Sequence, residues 1–252
     1  MKTFMIWTGI IFISGSFMRY ADPDYSHFKK DIAIGTAQHI KTQIDFSAGE
    51  LLIQPLSSGN LCEGEFTFYK SNKPEISYEE NNYLGSLQIS DSDFHMEKDN
   101  KTQWVIDFNK KVTCDFFIAM KAGRAEIDLT ECNLQRFDFE IGAGSVHINL
   151  KNTSVADVKF SGGAGEMVMD LSGEWKNDLD ADISGGVGEI TIILPHDIGI
   201  ELSISGILGD RNVPGFYKDG STYTNDLFGE TKHTLYLDIA GGIGSVNIKT
   251  AQ

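Results

Sequence analysis

Glycine returns on a clock of about 21 residues through the second half of this 252-residue chain, at Gly123, Gly144, Gly165, Gly188, Gly209 and Gly244. Each sits in a near copy of one phrase: AMKAGRAEIDL, EIGAGSVHINL, SGGAGEMVMDL, SGGVGEITIIL, SGILGD and AGGIGSVNIKT. A repeat this short cannot enclose a core of its own, so its apolar side chains are buried only by stacking one copy on the next. The predicted fold is therefore all-β: a single-stranded parallel β-solenoid, or β-helix, with coils of about 21 residues.

Phases counted from the glycine explain the phrase. Seven residues before it stand Phe116, Phe137, Val158, Ala181, Leu202 and Leu237, and five before it stand Ile118, Phe139, Phe160, Ile183, Ile204 and Ile239. Largely polar residues separate the two sets, as in a strand with one buried face. Apolar residues return two, four and six places after the glycine, so each coil reads as strand, glycine corner, strand. Corners stacked about 4.8 Å apart leave little room for a Cβ, and glycine also reaches positive φ without steric cost. The spacing of 35 between Gly209 and Gly244 predicts an excursion of about 14 residues within Asp210–His233. TQIDFSAGELLIQ, around Gly49, reads as an outlying first coil.

The chain ends and the composition set further bounds. Phe4–Ile13 is a short apolar run behind Lys2, followed by Ser14-Gly15-Ser16, and predicts a cleaved secretory signal over residues 1–16. No membrane-spanning segment is expected after cleavage, and export places the chain in the periplasm or at the cell surface. A net charge of −15 argues against nucleic acid and anionic lipid as partners. Residues 17–110 are expected to form an N-terminal β module that includes the first coil. Within it GEFTFYK, PEISYEE, GSLQIS and TQWVIDF read as antiparallel strands of a small cap. Residues 111–252 form the solenoid, and the polar stretch Asp91–Lys101 reads as a loop. Of the three cysteines, Cys62, Cys114 and Cys132, the last two are the expected disulfide couple, one coil apart with a phase offset of three.

GEFTFY with a following Lys-Pro and Tyr78, Trp104 with Asp107, and KAGRAEIDLTECNLQRFDFEIGAGSVHINL together resemble the bacterial toast-rack domain with its N-terminal module. That family is similar to the C-terminal domain of LiaF-type regulators of cell-wall stress. The resemblance implies a β-solenoid protein of the cell envelope and offers no catalytic residues to carry over.

Three surfaces are candidate sites. Glu166, Glu189 and Asp210 share the phase just after the glycine, and such a column of carboxylates could hold a divalent cation or simply be solvated. Calcium binding of the nonapeptide-repeat type is excluded, because Met167, Ile190 and Val246 occupy the place of its aspartate. Phe216, Tyr217, Tyr223 and Phe228 in the excursion could stack on sugars or contact a partner, or could cover the solenoid flank. Val246, Asn247, Ile248 and Lys249 lie in a final strand expected to have a free edge. It could pair with a second copy as a homodimer or with another envelope protein, or be guarded by Lys249.

No histidine, serine or cysteine stands in a catalytic or metal-ligand spacing, and no cofactor is implied. The favoured expectation is a non-enzymatic, adhesin-like binding or scaffold protein of the envelope whose partner is an envelope protein or a glycan. The alternatives are an envelope-stress regulatory domain and a calcium-assisted polysaccharide enzyme using Arg124 as base.

Overall fold

The computed structural model describes residues 24–91 and 100–251; the expected signal segment and most of the Asp91–Lys101 loop lie outside the described residues. The fifteen strands are β1 (Tyr25–Ala33), β2 (His39–Leu56), β3 (Asn60–Tyr69), β4 (Pro74–Asn81) and β5 (Leu84–Asp91), then β6 (Gln103–Asn109), β7 (Thr113–Asp128), β8 (Leu134–Asn149), β9 (Asp157–Asp170) and β10 (Leu179–Leu194), and finally β11 (Gly199–Ser205), β12 (Arg211–Asn212), β13 (Tyr217–Asp219), β14 (Thr222–Thr224) and β15 (Thr234–Thr250). They form one long, mostly parallel sheet, consistent with a β-solenoid.

Each repeat phrase except that of Gly209, which is split between β11 and β12, is one long strand bent at its glycine. Parallel pairing sets Gly49 opposite Gly123, Gly123 opposite Gly144, Gly144 opposite Gly165 and Gly165 opposite Gly188. The two arms of each rung turn their apolar side chains into a shared interior. Phe116, Phe137, Val158, Ala181, Leu202 and Leu237 are all buried, as are Ile127, Ile148, Met169, Ile192 and Ile248 on the other arm. Rings stack between rungs as well as within them, with Phe139 and Phe160 nearly parallel at 5.9 Å. The corner requires glycine for two reasons. Its φ is +137° at Gly165, and a Cβ there would lie 1.7 Å from the carbonyl oxygen of Gly144 on the rung beneath.

The return turns between rungs carry their own stacked chemistry. Asp128, Asn149 and Asp170 each accept a hydrogen bond from the backbone amide two residues on, closing matching Asx turns. Glu131, Asn152 and Gly173 follow with φ of +60°, +55° and +101°. These positions recur at nearly the coil period, and they steer the chain back to begin the next rung.

At the N-terminal end β2 is a rung laid directly on β7. Above it, β5 pairs in parallel with the first arm of β2 and β6 with the second, so the two together make a broken rung. At this end antiparallel pairing is confined to the outer layer, β4 on β5, β3 on β6 and β1 on β3. GSLQIS and TQWVIDF therefore continue the parallel stack on one edge and take antiparallel partners, β4 and β3, on the other. Their alternation is the same in either arrangement, and only the partner strand distinguishes them.

At the other end the strand order departs from the chain order. β15 pairs along its whole length with β10, setting Gly188 opposite Gly244, and β11 pairs with the far side of β15. The chain leaves a slot after β10, builds β11 and β12 one rung further out, and returns to fill the slot with its last strand.

Candidate binding surface

That order changes two of the three candidate sites. The strand SVNIKT is a free edge only in part. Val246 and Asn247 pair with Arg211 and Asn212 of β12 on one side and with Ile190 and Thr191 of β10 on the other, while Ile248 and Lys249 pair with β10. The phase of Gly209 and Gly244 is the same in either order, which is why the repeat pattern alone places SVNIKT last.

The carboxylate column is interrupted for the same reason. Its members run Glu50, Arg124, Ser145, Glu166, Glu189 and Ser245 across successive rungs. Asp210 lies beyond Ser245, where its carbonyl accepts from the Val246 amide at 2.9 Å. Glu166 and Glu189 are adjacent, Asp210 is not next to either, and Glu189 is engaged by the Asn247 amide at 2.8 Å. Among the described residues no group of three or more His, Cys, Asp or Glu side chains is placed to hold a metal ion. Arg124 forks onto Glu126 at 2.7 Å, which holds its guanidinium pKa above the ordinary value, and Ser145 separates it from Glu166.

The excursion closes the open end of the stack. β14 pairs antiparallel with β11, and β13 folds back on β14. Asn225 extends the cover: its side chain accepts from the Ile200 amide at 2.9 Å and donates to the Ile198 carbonyl at 2.7 Å, in place of a strand partner. The four aromatic residues consequently separate. Tyr223 is buried beneath the Lys218 ammonium, and Phe216 packs partly against the core. Tyr217 and Phe228 face outward. A hydrogen bond to Asp226 raises the Tyr217 phenol above its usual pKa, and Phe228 meets the edge of Tyr236 at 6.5 Å.

All three cysteines are free and buried, so the expected Cys114–Cys132 couple is not formed. The register sets Cys114 opposite Leu134, while Cys132 lies in the return turn with its amide bonded to the Leu129 carbonyl. Burial pushes the Cys62 and Cys132 thiols up to about 12 and that of Cys114 well above its ordinary value.

One surface has no counterpart among the sequence expectations. The residue just before each corner glycine points outward, and along the stack this position reads Ala48, Ala122, Ala143, Ala164, Val187, Ile243 and Leu208. The signal was present in GGVGE, GGIGS and GILGD, but no periodic rule asks for an aliphatic residue on an exposed corner.

Residues 21–160 and 140–193 match the family described as the N-terminal domain of toast_rack, DUF2154. The chain belongs to this toast-rack family. No curated protein matches it. Among solved structures, a candidate cell adhesion protein from Clostridium sporogenes is 26% identical and superposes with a TM-score of 0.66, covering 90% of this chain and 100% of its own. A candidate adhesin from Bacteroides fragilis, at 10% identity and a TM-score of 0.31, covers 88% and 97%. Another from Parabacteroides merdae, at 9% and 0.21, covers 92% and 98%. Among the described residues no helix is long and apolar enough to cross a membrane.

Proposed function

We propose that this toast-rack protein is a non-enzymatic, adhesin-like binding module of the bacterial cell envelope. Its framework is a parallel β-solenoid of about 21 residues per coil, capped at its N-terminal end and exported to the periplasm or the cell surface. The observation that carries this reading is the likeness to the C. sporogenes candidate cell adhesion protein, which spans the whole of that chain. The architecture agrees with it. Rungs locked by backbone pairing on both sides give a rigid body whose outer faces keep a fixed spacing, which suits presentation of a surface. The partner is an envelope protein or a glycan.

The test is retention of envelope extracts and of an arrayed glycan panel on the immobilised full chain, with polysaccharide turnover measured in parallel with and without calcium. Saturable retention without turnover supports the reading. Calcium-dependent release of oligosaccharide, or no retention on either panel, overturns it.

A further inference from the structure

Val187, Ile243 and Leu208 occupy the same outward corner position on three successive rungs, and they are 55%, 62% and 71% exposed. Aliphatic side chains of this size, in line and about 4.8 Å apart, form a ridge that a soluble protein does not ordinarily leave to water. On one side of it Gly186 and Gly242 carry no side chain beside Val187 and Ile243, and Gly163 continues the line one rung before, so a shallow trough flanks the ridge as far as Ile207, the neighbour of Leu208. On the other side the exposed carboxylates Glu189 and Asp210 flank the two outer ridge rungs with Ser245 between them, and Glu166 extends this border one rung before the ridge.

From this arrangement we infer that the ridge and trough are the docking surface for a cationic amphipathic helix of a partner protein, a specific form of the binding function proposed above. Charge complementarity selects the occupant. A second copy, with its net charge of −15, would set the same carboxylates against each other, and an anionic membrane would be repelled by them. A helix fits the spacing as well. One turn rises about 5.4 Å against about 4.8 Å per rung, so a stripe of aliphatic residues at every third or fourth position follows the ridge over three rungs with little drift. Lysine or arginine on the adjoining stripe then faces the acidic border.

The experiment titrates the full chain into a fluorescein-labelled 18-residue helical peptide with leucine on one stripe and lysine on the next, read by anisotropy in low-salt buffer. Saturable binding is expected. It should weaken at least tenfold in Ile243→Ser with Leu208→Ser, at least tenfold in Glu166→Gln with Glu189→Gln, and again in 0.5 M salt. Both variant pairs should keep the parent melting temperature. If the serine pair unfolds, Val187→Thr and the carboxamide pair provide the same readout. The inference is overturned by absence of binding, by equal binding of a glutamate-for-lysine peptide, or by binding unchanged in the variants. It is also overturned if anionic vesicles bind in preference to the peptide, or if light scattering shows a dimer that the serine pair dissociates. Envelope retention by variants that have lost the peptide leaves the general binding reading standing. Retention lost with peptide binding intact removes that reading alone.

Discussion

Replacing Gly165 by alanine should be among the most damaging single methyl additions available to this chain. The residue sits at φ +137°, a region open to little but glycine, and forcing alanine into it costs about 1–3 kcal/mol. The added Cβ would also lie 1.7 Å from the Gly144 carbonyl oxygen, whereas ordinary contact begins near 3.4 Å. Backbone cannot swing aside as a side chain can, so the rungs must part locally. At about 1 kcal/mol for each ladder hydrogen bond given up, losing two brings the total to about 4 kcal/mol. For a chain of this size that corresponds to a fall in Tm of about 8–16 °C. Two controls separate the causes. Gly229 has φ +81° and nothing within 4 Å of where a methyl would stand, so Gly229→Ala should cost only about 1 kcal/mol from conformation. Gly59 has neither constraint, and alanine there should be neutral or stabilise by up to about 1 kcal/mol. Urea unfolding followed by far-UV circular dichroism ranks the three. Equal costs at Gly165 and Gly229 would refute the stacked-corner argument.

Tyr223→Ala should lower stability by about 3 kcal/mol because its ring is buried beneath the end cap, while Tyr217→Ala, at an exposed ring, should stay within about 0.5 kcal/mol. Thermal melts that order them the other way would show that the excursion is not a lid. The buried thiols should resist a thiol reagent at pH 8 in the native protein and all react in denaturant, so rapid native labelling would contradict their burial. Their folded pKa values lie above the ordinary 9.0, so the unfolded chain releases thiol protons first as pH rises. The stability they contribute is thus complete below pH 9 and declines towards about pH 12, and a rise over that window in urea midpoints, corrected with a cysteine-free variant, would contradict this.

Much of the framework was legible because one physical demand repeats. A glycine corner and fixed inward phases recur in every rung, and the positions from Phe116 to Ile248 identified by phase are buried in the structure. What phase cannot report is which rung lies beside which. Gly209 and Gly244 are equivalent as corners, so nothing local says that β15 fills the slot between β10 and β11. The same limit applies to GSLQIS and TQWVIDF, whose alternation suits either a cap or a broken rung. The candidate sites depended on adjacency and moved with it: Ser245 separates Glu189 from Asp210, and β12 covers part of the supposed free edge. The apolar ridge was missed because Val187, Ile243 and Leu208 occupy a position where the repeat elsewhere carries alanine.

The strand order is open to a direct test by paired cysteines in an otherwise cysteine-free chain. Glu189 and Ser245 are register partners on adjacent rungs, about 4.8 Å apart, within the Cα separation a disulfide tolerates. Asp210 lies one rung further from Glu189, at roughly 10 Å and beyond that reach. Air oxidation of the folded protein, read by intact mass, should close Glu189→Cys with Ser245→Cys and leave Glu189→Cys with Asp210→Cys reduced. Closure of the second pair and not the first would mean that the rungs follow the order of the chain, and that the account of this end of the stack is wrong.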